Sequence, residues 1–264
     1  MKASGKIWIF TGILIVFNIL FFWVKPEEKI LTIVSDALPV ICAIVSILGI
    51  AWAVKSLHGF DQTKLAWIML LTGIVLFMSA EAIYGYLEVI LNVDVNEVFP
   101  TMADYFWMAG YIPIFTGLVM LVYGYKKSGF SFGAIKSYIV GISCFVLITA
   151  LIIYKLLIPI VQDPETEILA KFVYLYYPIA DLFIIIPAMI LAYLTNLFGK
   201  GMISRPWRYI AVGFLCMTTF DIIYSYLSWN DMYGPGNPID IFANLSYLLI
   251  GLGGLFQKEL IESV

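Results

Sequence analysis

The sequence predicts an all-α integral membrane protein of eight transmembrane helices, arranged as a tandem 4+4 parallel repeat with both termini cytoplasmic. Three observations predict it. The 264 residues are 62% hydrophobic and 12% charged, with a mean hydropathy of +0.97. One water-soluble core has no room to hide that much apolar surface, so lipid must be the solvent for most of it. Eight apolar stretches, each long enough to cross ~30 Å of hydrocarbon, follow one another with short connections. Finally, an ordered set of residues in the first four stretches recurs in the last four.

The stretches run at about 7–24, 33–55, 64–92, 100–125, 135–160, 169–196, 206–229 and 239–257. The first begins with Lys2 and Lys6 ahead of an apolar run, as a signal peptide would. It lacks a small-residue cleavage site before Lys25 and is long enough to span, so it is read as a retained helix. The connections leave no space for a soluble domain. The expected organisation is one membrane domain over 1–264, with repeat one at about 1–128 and repeat two at about 129–258.

Orientation follows from charge. Eleven of the 15 basic residues, among them Lys55, Lys64, Lys126, Lys127, Arg205, Arg208 and Lys258, fall on one side; Lys25, Lys29, Lys155 and Lys171 fall on the other. The basic side is read as cytoplasmic. Of the 18 acids only Asp61, Glu259 and Glu262 lie on that side, so the outer face is strongly negative and attracts cations. The clusters Lys126/Lys127 and Arg205/Arg208 are read as topology signals in contact with anionic lipid. The lipid bilayer is the first expected partner, and no nucleic-acid partner is expected.

Several chemistries are set aside. One histidine, His58, sits in a predicted loop, which removes histidine metal clusters and Ser/His/Asp catalysis. Cys42, Cys144 and Cys216 lie in separate apolar runs and are read as packing residues, not as a ligand set or disulfide framework. An intramembrane hydrolase built on paired carboxylates and a metal lacks ligand spacing and a nucleophile, so the chain is read as a non-enzyme. No cofactor is predicted, although a bound cation fits the negative outer half.

The repeat pairs Trp67, Gly73, Glu81, Ile83, Tyr84, Tyr86 and Leu87 with Trp207, Gly213, Asp221, Ile223, Tyr224, Tyr226 and Leu227 at a constant offset of 140. It resumes at an offset of 136, pairing Asp104, Tyr111 and Gly117 with Asp240, Tyr247 and Gly253. Asp36 and Asp181 form a weaker pair. Each unit has an even number of spans, so both copies keep one orientation about an axis along the membrane normal.

The acids and tyrosines form stripes in the outer half of these spans. Glu81, Tyr84 and Glu88 share a helical face, as do Asp221, Tyr224 and Ser228; Tyr174, Tyr177 and Asp181 repeat the pattern, and so do Asp104, Trp107, Tyr111 and Asp240, Asn244, Tyr247. Asp36, Asp104 and Asp240 lie near helix starts, where a carboxylate caps free N–H groups. Capping does not explain Asp181, about 12 residues or ~18 Å into its span, nor Glu81 and Asp221. A carboxylate at that depth must hold a proton, a cation, water or a tyrosine hydroxyl. Gly110, Gly117, Gly251, Gly253 and Gly254 read as close-packing positions, and Pro39, Pro113 and Pro187 as kinks.

The strings FPTMADYFWMAGY (Phe99 to Tyr111), YPIAD (Tyr177 to Asp181), FDIIYSY (Phe220 to Tyr226) and PIDIFANLSYLLIGLGGL (Pro238 to Leu255) resemble the multi-helix N-terminal membrane regions of bacterial GGDEF and GGDEF/EAL signalling proteins. The resemblance covers roughly residues 75–256. It implies a membrane sensor that makes and breaks no bonds itself and, standing without a cyclase or phosphodiesterase domain, signals through a cytoplasmic or membrane partner. Asp104, Asp181, Asp221 and Asp240 match the family's pattern-defining acids.

The expected function is therefore a sensor in the cell membrane with an outward-facing pocket for a cation, proton or small cationic or polar ligand. The expected lining is Glu81, Asp104, Asp181, Asp221, Asp240, Tyr84, Tyr111, Tyr177, Tyr224 and Tyr247. The alternative is a cation- or proton-coupled transporter of small molecules, for which the inner half of the spans offers few polar residues.

Overall fold

The computed structural model describes residues 3–24, 26–95, 97–129, 132–197 and 201–263, and for nine of them (residues 3, 4, 6–8, 11, 18, 22 and 137) the backbone alone. Lys2, Lys25 and Lys200, used above for orientation, lie outside the described residues. The described chain is all helical: α1 (Ala3–Val24), α2 (Glu28–Ser56), α3 (Gln62–Gly85), α4 (Met102–Lys127), α5 (Ile135–Ile152), α6 (Ile168–Leu197), α7 (Ser204–Trp229) and α8 (Asp240–Glu262). A π-helical turn, Tyr86–Ile90, continues α3; another, Ile153–Leu157, carries α5 into a last turn at Ile158–Gln162.

Seven of these helices, α2 to α8, are long and apolar enough to cross a membrane, so this is a multi-pass membrane protein. The described part of α1 holds a shorter apolar stretch, Gly12–Phe21. The two largest outward shifts from the expected boundaries fall in α2 and α8. Helix α2 starts at Glu28, because its first turn is polar and follows Pro26; α8 runs on to Glu262, where Lys258 and Glu262 pair at 3.6 Å one turn apart. Counting apolar residues misses both ends.

Six helices close a ring in the order α2, α3, α4, α6, α7, α8 and back to α2. Helix α1 lies outside it against α8, and α5 lies outside it beside α6 and α7. Burial follows: α8 encloses 83% of its most apolar stretch, whereas α5 encloses 17% and turns Ile139, Val140, Leu147 and Leu151 outward. Cys144 on α5 is exposed as well, unlike buried Cys42.

Glycines bring the helices close. A Cβ on Gly73 of α3 would collide with Ile114 of α4, and one on Gly110 would lie 2.5 Å from the Phe77 ring. Gly213 of α7 meets Ile250 and the Ser246 carbonyl of α8 in the same way. One end of the ring is filled by Trp67, Leu70, Ile74, Ile114, Leu118, Ile210 and Phe214. The other end, where the α3–α4 and α7–α8 connections lie, is hollow.

Candidate functional site

The hollow end holds a cavity of about 200 Å³. Phe77, Met217 and Pro39 are among the apolar residues that line it, and Phe99 and Thr101 of the α3–α4 connection and Tyr233 of the α7–α8 connection reach it from the loops. Six carboxylates line it, from Asp36, Glu81, Glu88, Asp104, Asp221 and Asp240, with no Lys, Arg or His among the described lining residues.

Of the ten residues expected to form the site, nine line this cavity; Asp181 is 0% exposed and stands behind Tyr111. Two tyrosines tie acids across the ring. The Tyr111 hydroxyl of α4 faces Asp181 Oδ1 of α6 at 3.0 Å and Asp221 Oδ2 of α7 at 3.3 Å, and the Tyr247 hydroxyl of α8 donates to Glu81 Oε1 of α3 at 2.9 Å. Trp107 also donates to Glu81, while Tyr84 donates to Tyr224, which accepts from Ser228 as well. The side-chain stripes expected on α3, α4, α7 and α8 thus meet inside the ring.

Nearer the loops, Tyr177 donates to Asp104 Oδ1 at 2.7 Å. Asp104 Oδ2 accepts from the Thr101 backbone N–H at 2.6 Å and from its hydroxyl at 2.9 Å, closing a capping box that starts α4. The capping reading holds for Asp104. For Asp240 it holds in part: the carboxylate accepts from the Asn237 backbone N–H ahead of α8, Oδ1 also accepts from Tyr233 at 2.8 Å, and Oδ2 is buried with no donor. It does not hold for Asp36, which lies two turns inside α2 because that helix starts at Glu28.

Asp36 also differs from the place expected of it as a counterpart of Asp181. It packs against Gly85 and reaches Glu88 on the π-helical turn, while the group beside Glu81 and Tyr247 is the Cys42 thiol. Sequence reasoning missed Tyr233, which sits in a loop where no periodicity marks it. It also missed Thr101, which the T-x-x-D spacing ahead of an apolar run could have revealed.

Within hydrogen-bonding reach of one another, Asp181 and Asp221 have no cation between them, and Asp181 Oδ2 has no donor. Two lysines at this end of the bundle are engaged elsewhere: Lys171 Nζ donates to the Asp163 carbonyl at 2.6 Å, and Lys155 lies over the Tyr154 ring. Among the described residues no group of three or more His, Cys, Asp or Glu side chains is placed to hold a metal ion.

Fold and site together define a multi-pass helical membrane protein that encloses an acidic, aromatic cavity near one end of its bundle. Compared with protein-family models, curated proteins and solved structures, the chain matches none.

Proposed function

We propose that this chain is a ligand-binding sensor of the cell membrane, with eight spans, both termini cytoplasmic and its cavity open to the outer face. The cavity takes a cation, a proton or a small cationic or polar ligand. Binding shifts α2–α4 relative to α6–α8, and a partner reads the shift on the cytoplasmic side.

One observation carries the reading: six carboxylates converge on an enclosed space, with a seventh behind them, and no basic residue among the described lining neutralises them. Buried acids within a membrane are costly unless something positive or a donor joins them. The likeness to the input regions of GGDEF proteins supports the signalling part.

Contacts at equivalent positions support the tandem arrangement. Gly73 faces Ile114 and Gly110 as Gly213 faces Ile250 and Ser246; Gly117 faces Leu70 and Ala66 as Gly253 faces Ile210 and Pro206. Tyr111 reaches Asp221 as Tyr247 reaches Glu81. A transporter would need a route to the other side, and below the cavity the ring is packed with Trp67, Ile74, Leu118 and Phe214.

The test is the melting temperature of detergent-purified wild type and of the Asp181→Asn, Asp221→Asn double variant over a panel of ions and polar solutes. A wild-type rise of several degrees that the variant loses supports the reading. A flat response in both, with the variant merely less stable, makes these acids structural.

A further inference from the structure

We infer that the ligand is a small organic amine, held through its ammonium group by Asp240 and the aromatic wall, and not a bare metal ion. The inference rests on the reading above that the cavity is a binding site.

Asp240 supplies the anchor. It begins α8, is 5% exposed and lines the cavity; its carboxylate accepts from the Asn237 backbone N–H and, through Oδ1, from Tyr233, and its buried Oδ2 has no donor. Asp36, on the neighbouring helix α2, lines the same cavity and hydrogen-bonds Glu88, and its buried Oδ2 accepts from no donor. A buried carboxylate oxygen left unmet is costly, and an ammonium group with three N–H donors can meet one.

The wall supplies the rest. Tyr84 and Trp107 pack at 5.7 Å, Tyr224 and Tyr233 edge to face at 4.6 Å, and Phe99 and Tyr174 stack at 4.3 Å, all six on the cavity. Aromatic faces attract an organic cation and shelter its carbon body, and Trp does so best. A calcium or magnesium ion asks instead for six or more oxygens around one point. Here the acids are spread over the ring, and both oxygens of Asp104 are already engaged by Thr101 and Tyr177. The volume of about 200 Å³ matches roughly seven waters at ~30 Å³ each, which suits a short amine.

The experiment titrates detergent-purified wild type with n-butylamine, 1,4-diaminobutane and spermidine, and separately with potassium, magnesium and calcium chloride at matched ionic strength. Affinity is read by calorimetry and stability by melting temperature. At least one amine is expected to bind and raise the melting temperature by several degrees where the metal salts do not. Asp240→Asn and Trp107→Leu should each weaken amine binding about tenfold; the wild-type titration and Trp107→Leu suffice if Asp240→Asn fails to fold. Binding of a metal ion with none of an amine overturns the inference and leaves the cavity a binding site. Amine binding untouched in both variants places the amine elsewhere and overturns it too. Silence toward every probe overturns both this inference and the binding-site reading.

Discussion

The ring has two seams between helices that are not chain neighbours, α8 against α2 and α4 against α6, and they are built in opposite ways. At the first, backbones touch: a Cβ on Gly254 would lie 2.5 Å from the Gly49 carbonyl carbon, and one on Gly251 would lie 2.9 Å from the Ser46 Cα. At the second, side chains stand between the helices. Phe115 and Phe183 meet edge to face at 6.0 Å, Tyr176 donates to the Met108 carbonyl at 2.8 Å, and Tyr177 and Tyr111 bond Asp104 and Asp181. Helices in lipid have no hydrophobic force to drive them together and rely on close packing or on hydrogen bonds. This protein uses one at each seam. Packed backbone leaves no second arrangement, whereas tyrosine–carboxylate bonds can exchange partners, so the shift proposed above would pivot on α2–α8 and open or close α4–α6.

The largest expected effect comes from breaking the rigid seam. Gly254→Ala places a methyl group into the backbone of Gly49 and Ile50 and should cost about 3 kcal/mol, seen as a marked fall in melting temperature. Gly124→Ala, where nothing lies within 4 Å, should show no such fall; equal losses at both would remove the contrast between the seams. At the polar seam the effect is smaller. Tyr177→Phe leaves Asp104 bonded to Thr101 and should cost about 1 kcal/mol, the usual size of one hydrogen bond between membrane helices. A loss as large as that of Gly254→Ala would make the second seam as rigid as the first.

Much of this contrast was legible in the sequence, though unevenly. Gly251, Gly253 and Gly254 stood out as close-packing positions, but Gly49 did not, because a single glycine in an apolar run carries no pattern. The acid and tyrosine stripes followed from helical spacing, yet their pairings, Tyr247 with Glu81 and Tyr111 with Asp221, depend on the order of helices in the ring. Spacing along one helix holds no information about which helix lies opposite. Asp36 reads as lying near a helix start because the polar start of α2 does not register in hydropathy; five residues of offset turn a half-buried acid two turns inside the helix into a cap.

The smallest expected effect lies where the chain enters α6, one helix of the polar seam. Asp163 shapes the turn after α5: Oδ1 accepts from the Glu165 N–H at 3.1 Å, and Oδ2 accepts from the N–H and hydroxyl of Thr166. The corresponding entry to α2, at the rigid seam, has Glu27 with no capping side-chain bond. The hydrogen bond from Thr166 holds the Asp163 carboxyl below the ordinary aspartate range. A lowered folded value means that this group favours the folded turn above the unfolded value of about 3.9, and that the contribution fades as pH falls through the folded value. Asp163→Asn should therefore speed hydrogen exchange at the Glu165 and Thr166 amides near neutral pH while leaving the melting temperature unchanged. The difference from wild type should vanish once the wild-type carboxyl is protonated, at acid pH. Exchange rates equal at neutral pH would mean that the turn is held by Lys171, whose Nζ bonds the Asp163 carbonyl, and that the entry to the polar seam is set by backbone contacts after all.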